Sequence, residues 1–267
     1  MLANRLIACF DVIGGKVTKA SQFQNNIDIE DAVTAAKRIY EMQIDELIFY
    51  DVTAIAEKRP IDLNLVEAVG KEVFVPYTVG GGIRNLTDMY NVLKSGAEKI
   101  SVDSMAVRNP EIIAQGAKEF GSQCIVLSMQ VKRVPKSGKI PSGYEIAIDG
   151  ARVFTGMDAL EWARRGAGLG AGEIVVNSID NDGTHHGYDL EITGLIAENV
   201  RIPIVASGGA GKPEHLYDVF TQTQASAGII SSMLYSPRLE RNYTVREIKE
   251  YLQGRGVEIR PYILRQA

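Results

Sequence analysis

Eight short apolar segments, alternating with amphipathic stretches, are the feature that most constrains the fold of this chain. Each segment is rich in Ile, Val, Leu or Phe and nearly continuous in its apolarity, as strands covered on both faces must be. The segments are residues 5–11, 46–51, 74–79, 98–102, 123–129, 173–178, 202–206 and 226–231. Because helical stretches separate them, the pattern predicts an α/β fold with a parallel sheet, and eight strands can close into a (β/α)8 TIM barrel.

The stretches between the strands carry helix signals of their own. Residues 32–40 place apolar side chains on one stripe at helical spacing. Asn85 followed by Asp88 resembles a capping box, and Gly96 stands where that helix should end. The segments GKPEHLYDVF and YTVREIKEYL predict two further helices in the last quarter of the chain.

Residues 131–155 interrupt this alternation. The segment holds two prolines, several basic residues and a strand-like pattern around Asp149–Gly150, a dipeptide typical of tight hairpin turns. We therefore expect a hairpin insertion after the fifth strand, at the same end of the barrel as the other strand-to-helix loops.

The two halves of the chain repeat each other, with matching segments about 127 positions apart for the clearest pair. The pairs are PYTVGGGIR with PIVASGGAG, IFYDVTA with VNSIDNDGT, and ISVDS with GIISS. The pattern predicts a barrel built from two half-barrel repeats, in which the first and fifth strands are partners. Asp11 and Gln130, which end those strands, should then face each other across the barrel mouth.

Composition sets the broad class of protein. The 267 residues are 45% apolar and 23% charged, which is ordinary for a globular protein, and we expect one domain over residues 1–267. A formal charge of −4 gives no reason to bind nucleic acid or an anionic membrane. Cys9 and Cys124 lie in apolar runs and are expected to be free thiols. No apolar run approaches the roughly 18 residues of a membrane span, and Asp11 interrupts the N-terminal run too early for a signal peptide, so a cytoplasmic location is expected.

Two glycine-rich strand ends, Gly80–Gly82 and Gly208–Gly209, each lead into a helix. Exposed backbone N–H groups and the positive end of a helix dipole make such turns good phosphate holders. Because the half-barrel repeat relates the two turns, the sequence predicts a ligand with a phosphate at each end. We expect no metal site, since the adjacent pair His185 and His186 would rarely chelate one ion, and no cofactor.

The chain resembles the cyclase subunit of imidazole glycerol phosphate synthase over essentially its whole length. The segments that carry the resemblance are RLIACFDV, IDELIFYDVTA, VGGGIR, AVRNPEII, FGSQCIV, DNDGTHHGYDLE and ASGGAGKPEH. The resemblance implies a (β/α)8 enzyme of histidine biosynthesis, a lyase-type subunit of a glutamine amidotransferase that forms a heterodimer with a glutaminase. Ammonia would pass through the barrel and react with a bis-phosphorylated ribulosyl-formimino aminoimidazole carboxamide nucleotide. The products would be imidazole glycerol phosphate and aminoimidazole carboxamide ribotide.

The resemblance also implies site residues. Asp11 matches the first catalytic acid, and Lys19 matches a lysine in the glycine-rich loop after the first strand. The positions that match phosphate or substrate contacts are Gly82, Asp103, Ser104, Asp182, Gly183, Gly209, Ser231 and Ser232. The positions that match an ammonia gate, at the N-terminal face where the glutaminase would dock, are Arg5, Glu46, Lys99 and Glu173.

Two residues depart from the family pattern. Gln130 stands at the position of the second catalytic acid, and an amide can orient a substrate but cannot exchange a proton near neutral pH. Losing one proton-transfer group typically costs ~10²–10⁴ in rate. Asp103 stands where the family has an asparagine beside a phosphate, and a carboxylate there is repulsive unless a cation intervenes. Asp103 and Asp180 are the nearby acids that could replace the one missing at position 130.

These departures leave other functions open. A paralogue with impaired cyclase chemistry could conduct ammonia to another amidating enzyme, such as one of nucleotide-sugar biosynthesis, because a conduit needs the gate but not the second acid. The sister sugar isomerase has a similar barrel but also requires acids on the first and fifth strands. A non-catalytic scaffold barrel is a further alternative, against which Asp11 and Lys19 argue.

Overall fold

The computed structural model describes residues 3–21, 24–54, 57, 59–237 and 239–263, with the side chains of 19–21 and 24–27 outside the description. The strands are β1 (Arg5–Ile13), β2 (Lys16–Ser21), β3 (Gln24–Asp31), β4 (Glu46–Asp51), β5 (Tyr77–Gly80), β6 (Lys99–Val102), β7 (Ile125–Arg133), β8 (Tyr144–Ile148), β9 (Val153–Asp158), β10 (Glu173–Ser178), β11 (Ile204–Ser207) and β12 (Ala227–Ile229). The helices are α1 (Ala32–Glu41), α2 (Leu63–Glu72), α3 (Leu86–Lys94), α4 (Ser104–Arg108), α5 (Glu111–Phe120), α6 (Ala159–Gly168), α7 (Leu190–Asn199), α8 (Pro213–Gln222), α9 (Ser231–Tyr235) and α10 (Val245–Gln253).

Eight of these strands form a closed parallel barrel in the order β1, β4, β5, β6, β7, β10, β11 and β12, with β12 pairing back to β1. The predicted (β/α)8 fold is therefore confirmed. β1 and β7 stand four places apart in the ring of eight, so their carboxyl ends lie across the barrel from each other. Asp11 and Gln130 are carried by these two strands.

Helices cover the outside of the barrel, and most of the core lies between the helices and the strands. Five of the described helices begin at an aspartate whose carboxylate accepts backbone N–H groups of the first turn: Asp31, Asp62, Asp103, Asp158 and Asp189. The capping box at α3 is only half formed. Asn85 accepts from the Asp88 N–H, but the Asp88 carboxylate accepts from the N–H of Arg84 instead of that of Asn85. No helix in the described part of the chain is long and apolar enough to cross a membrane.

The hairpin insertion after the fifth barrel strand is confirmed as β8 and β9. β8 runs antiparallel to the end of β7, with Ala147 opposite Gln130, and β9 pairs with β8. The hairpin turn contains Asp149 at φ 56° and Ala151 at φ 62°, a left-handed conformation that non-glycine residues seldom adopt.

A second hairpin follows the first barrel strand, where the sequence predicts only a glycine-rich loop. β2 pairs antiparallel with the extension of β1, and β3 pairs with β2. Gly14 and Gly15, with φ of 55° and 79°, form the two-residue turn that joins β1 to β2. Two central residues with positive φ are typical of tight hairpins, so the Gly-Gly dipeptide was the available signal.

The half-barrel repeat is visible in how the two glycine turns pack. A Cβ on Gly81 would lie 2.2 Å from the carbonyl oxygen of Asp51, at the end of β4. A Cβ on Gly208 would lie 2.8 Å from the carbonyl oxygen of Ser178, at the end of β10. Both turns therefore need glycine for the same reason, because each lies directly on the backbone of the preceding barrel strand.

Candidate active site

One pocket at the carboxyl ends of the barrel strands, here called the mouth pocket, gathers many of the predicted site residues. Its lining includes the predicted residues Asp11, Gln130, Asp182, Gly209, Ser231 and Ser232. Gly82, Asp103, Ser104 and Gly183 are not part of that lining. The expected pairing of the first and fifth strand ends across a common pocket is therefore observed for Asp11 and Gln130.

Gln130 is held by a chain of uncharged groups. Nδ2 of Asn177 donates to Oε1 of Gln130 at 2.7 Å, and Oδ1 of Asn177 accepts from the Ser207 hydroxyl at 2.7 Å. Because Oε1 is engaged, the amide nitrogen of Gln130 is the group left to donate into the pocket. The side chain can therefore bind a substrate oxygen but has no proton to exchange near neutral pH.

Lys19 lies in β2, with its backbone opposite Ile27 of β3. The β1–β2 pairing sets Asp11 opposite Thr18, so the residue next to Lys19 is the direct neighbour of the predicted catalytic acid. The side chain of Lys19 lies outside the described part of the structure.

The predicted phosphate contacts fall into two sets, one in each half of the barrel. The set in the C-terminal half, here called the second predicted phosphate site, is Asp182, Gly183, Gly209, Ser231 and Ser232. A Cβ on Gly209 would lie 2.0 Å from the carbonyl oxygen of Gly187, so only glycine fits this turn. Oγ of Ser231 accepts the backbone N–H of Cys9 at 2.6 Å, which ties the start of α9 to β1 and leaves the hydroxyl hydrogen available for donation. All residues of this set except Gly183 line the mouth pocket.

The first predicted phosphate site is the set Gly82, Asp103 and Ser104, at the ends of β5 and β6. Oγ of Ser104 accepts the backbone N–H of Asp149 at 2.9 Å, so the turn of the β8–β9 hairpin lies on this site. Burial raises the pKa of Asp103, hydrogen bonds from Ser104 oppose the shift, and the nearby carboxylate of Asp149 adds to it. The site therefore already holds two carboxylates before any phosphate arrives.

Asp180 is not positioned to replace the missing acid. Its carboxylate accepts the backbone N–H of Arg133 at 2.8 Å and pairs with the ammonium group of Lys132. It is not part of the mouth pocket lining. These contacts attach the end of β7 to the loop after β10, which is a structural role.

Tyr50 is a pocket residue that sequence reasoning missed. Its hydroxyl lies 3.1 Å from Oγ of Ser101 on β6 and 3.3 Å from Oγ of Ser128 on β7. A Cβ on Gly80 would lie 2.6 Å from the Tyr50 ring, so the ring crosses the barrel interior directly over β5. Strand alternation could have placed Tyr50 inside the barrel, but it gives no information on how far the side chain reaches.

Below Tyr50, the barrel interior is lined mainly by apolar side chains, and Thr78 of β5, opposite Ile48 of β4, is a buried polar residue at this level. The buried side chains that form this collar are Ile7, Ile48, Val126, Val175, Val205, Ala227 and Ile229. Tyr50 and Cys9 pack against it from the mouth side. A charged species would have to shed its hydration to pass this collar, whereas a small neutral molecule would not face that cost.

The four predicted gate residues meet at the opposite end of the barrel. Arg5 pairs with Glu46 at 2.6 Å and with Glu173 at 2.7 Å. Lys99 pairs with Glu46 at 3.1 Å and with Glu173 at 2.9 Å. The contacts close an ion ring of alternating charge. Burial lowers the pKa of Arg5, but the charges of Glu173 and Glu46 outweigh it, so the pKa is raised and the guanidinium stays charged.

The similarities to known proteins agree with this architecture. The profile of the family described as "Histidine biosynthesis protein" matches residues 5–240. A protein of Desulfatibacillum aliphaticivorans named imidazole glycerol phosphate synthase subunit HisF is 54% identical over 97% of this chain and 98% of its own length. Proteins of the same name from Desulfosudis oleivorans and Syntrophobacter fumaroxidans are 54% and 53% identical, each over 97% of this chain and 99% of its own length. With a closed eight-stranded barrel, a polar mouth and these relatives, the chain belongs to the HisF family of imidazole glycerol phosphate synthase subunits.

Proposed function

We propose that this chain is the cyclase subunit of imidazole glycerol phosphate synthase. It takes ammonia from a glutaminase partner and reacts it with the ribulosyl-formimino aminoimidazole carboxamide nucleotide. The reaction forms imidazole glycerol phosphate and releases aminoimidazole carboxamide ribotide. The observation that best supports this function is that a polar pocket containing Asp11 and a closed ion ring stand at opposite ends of one mainly apolar barrel interior.

In this proposal Asp11 is the principal proton-transfer group in the mouth pocket. Cyclisation with elimination requires protons to be moved on and off the substrate, and a carboxylate can do this where an amide cannot. Gln130, fixed by Asn177, donates a hydrogen bond to a substrate oxygen and orients it. Lys19, carried by the hairpin that starts beside Asp11, supplies the positive charge that a phosphorylated substrate needs. We expect a slower reaction than an enzyme with two acids would support.

The two phosphates of the nucleotide would lie at the two predicted phosphate sites. The half-barrel repeat supports this assignment, since it puts equivalent glycine turns after β5 and β11. The ligand would then span the mouth, with its reacting centre near Asp11 and Gln130.

Ammonia would enter through the ion ring and travel up the barrel interior. The apolar collar favours neutral ammonia over ammonium, because only the charged form carries a large desolvation cost. Opening the ring requires at least one of its salt bridges to break. Lys99 is the more exposed of the two cations of the ring, with 18% of its side-chain surface exposed against 12% for Arg5. Its side chain is therefore the one best placed to move out of the ring.

The glutaminase partner would dock on the N-terminal face, around the ion ring. The loop before β5 exposes Phe74 at 77% of its surface, and Ile263 near the chain end is exposed at 66%. The ring of Tyr40 packs edge-on against Phe74 at 5.9 Å. An exposed apolar patch on the face that carries the ion ring favours a protein partner there.

The alternative role as an ammonia conduit to another amidating enzyme gains no support from the comparisons, because these relatives are named for the synthase itself. The neutral amide at position 130 is the one observation that motivated it.

An assay with ammonium salt tests the function without the partner. The purified chain, given the nucleotide and ammonium at a pH high enough to supply free ammonia, should form both products in equal amounts. Asp11→Asn should lose the reaction, while Asp180→Asn, outside the pocket lining, should keep it. No product above background from the unsubstituted chain would refute the cyclase function and leave the fold unaffected.

A further inference from the structure

The first predicted phosphate site is covered by a single residue that contacts it in two ways. The backbone N–H of Asp149 donates to Oγ of Ser104 at 2.9 Å, and its carboxylate pairs with a guanidinium nitrogen of Arg108. Ser104 and Arg108 are separated by four positions on α4, so both lie on the same face of the helix, with Cβ atoms about 6 Å apart. Asp149 thus occupies the Ser104 hydroxyl through its backbone N–H and the Arg108 guanidinium through its carboxylate, at the place where a phosphate is expected.

The contact between the hairpin turn and this site has unfavourable features. Asp149, Gly150 and Ala151 all have left-handed φ, at 56°, 66° and 62°, and two of the three are not glycine. Oδ1 of Asp149 is buried and has no hydrogen-bond donor among the described residues. The carboxylate also lies close enough to Asp103 to raise the pKa of that acid. A turn held in this way is easier to displace than one with satisfied groups.

We propose that Arg108 is the cation that binds the substrate phosphate at this site, and that Asp149 occupies its guanidinium until the phosphate displaces the turn. The proposal rests on the proposed function for the identity of the ligand, a phosphate monoester. It removes the difficulty of Asp103, because the guanidinium of Arg108 offsets the charge of the carboxylate beside the phosphate. Arg108 is 47% exposed, so its side chain can pivot from Asp149 to a bound ligand.

The chemistry fits a guanidinium better than an ammonium. A guanidinium presents a planar fork of donors that can contact two phosphate oxygens, and Ser104 can donate its hydroxyl hydrogen to a third. Once displaced, Asp149 moves away with the β8–β9 turn, which relieves its repulsion with Asp103. Binding of the phosphate would therefore be coupled to movement of the hairpin that pairs with Gln130 through Ala147.

Binding of inorganic phosphate, followed through the backbone amide signals of Gly82 and Ser104 in NMR, tests the proposal without any turnover. Arg108→Met should weaken phosphate binding at these amides by at least about tenfold, the loss expected for one charge-assisted contact. Asp149→Ala should instead strengthen it several-fold, because the competing carboxylate is gone. The phosphate affinity of Arg108→Lys should lie between that of Arg108→Met and that of the unsubstituted chain. The matched control is Arg246→Met, which removes an exposed ion pair with Glu250 of 2.7 Å far from the site and should change nothing.

The proposal predicts that Arg108→Met weakens phosphate binding while Asp149→Ala strengthens it. If the ion pair had only a structural role, both variants would bind phosphate more weakly. The proposal is overturned if Arg108→Met binds phosphate like the unsubstituted chain, if Asp149→Ala fails to bind more tightly, or if the two amides do not respond in any variant. If phosphate binding follows the expected pattern but ammonium gives no cyclase product, the proposed function fails while Arg108 remains a phosphate-binding residue.

Discussion

Asn177 donates a hydrogen bond of 2.7 Å to Oε1 of Gln130 and so fixes an uncharged group at the strand end where the family resemblance calls for an acid. The contact joins the ends of β7 and β10, which are paired in register at these two residues. It leaves Asp11 as the acid of the mouth pocket that faces Gln130 across the barrel.

Gln130→Asp should therefore speed the ammonium-driven reaction by on the order of 10², because it restores a second proton-transfer group. Asn177 can still donate to a carboxylate at this position and keep it ionised. Gln130→Asn is the matched control, since it shortens the side chain equally without adding an acid, and should give no gain. Rates measured at saturating nucleotide separate the two variants; equal rates for both would mean that position 130 carries no proton transfer.

Asp103→Asn should be more stable than the unsubstituted chain at neutral pH, and this difference in stability should disappear in acid. Burial raises the pKa of Asp103, so the folded state holds its proton more tightly than the unfolded state. As pH rises from the ordinary carboxylate pKa near 3.8 to the raised pKa of the folded state, the free energy of unfolding must fall. The total loss is about 1.4 kcal/mol for each unit by which the folded-state pKa exceeds the ordinary one. Urea unfolding of both forms at pH 4 and pH 8 measures the difference.

Asp31 provides the contrasting control, because it also caps a helix. The N–H of Thr34 lowers the pKa of Asp31, so its contribution is present above the ordinary carboxylate pKa and disappears as pH falls through the lowered value. Asp31→Asn should thus lose more stability at pH 8 than at pH 3. The same pH trend in both variants would contradict the opposite environments of the two acids.

Lys99→Met should destabilise the fold by about 3–5 kcal/mol, because it leaves the buried carboxylates Glu46 and Glu173 with only Arg5 as a cation. Adding Glu46→Gln to Lys99→Met restores neutrality and should recover part of the loss. Lys71→Met, which breaks an exposed pair with Glu67, should cost at most about 1 kcal/mol. A double variant no more stable than Lys99→Met would argue against a coupled ion ring.

Gly80→Ala should destabilise the barrel by about 1–3 kcal/mol, since the added Cβ would lie 2.6 Å from the Tyr50 ring. Tyr50→Leu removes that ring and should reduce the cost of the alanine, although Ser101 at 2.9 Å keeps part of it. Gly138→Ala, which meets nothing within 4 Å, is the control. Strictly additive effects in the double variant would show that the ring does not lie over Gly80.

The barrel was predictable because strands covered on both faces have continuous apolar sequences. Each of the eight predicted runs overlaps a barrel strand, and the runs 5–11, 46–51 and 173–178 lie wholly within theirs. The predicted segment 74–79 begins before β5 because Phe74 is apolar yet exposed, on the face proposed for the partner. The segments 202–206 and 226–231 likewise extend beyond β11 and β12. The β2–β3 hairpin was missed because its strands are polar and carry no alternating apolar pattern.

The candidate site was predictable only where strand ends fix a residue's position. Asp11 and Gln130 could be placed across the mouth by counting strands, and the ion ring could be placed by resemblance. The Arg108–Asp149 pair was not predictable, because it depends on how a hairpin folds back over a helix more than 40 positions earlier in the chain. The position of the Tyr50 ring across the barrel was not predictable for a similar reason, since it depends on the absence of a side chain at Gly80.

The measurement that bears most directly on the cyclase function is the fate of nitrogen from labelled ammonium. The unsubstituted chain, incubated with the nucleotide and ¹⁵N-ammonium, should place the label in the ring of imidazole glycerol phosphate and none in the aminoimidazole carboxamide ribotide. Asp11→Asn should incorporate no label. Recovery of the intact nucleotide, or of products without ¹⁵N, from the unsubstituted chain would contradict the account.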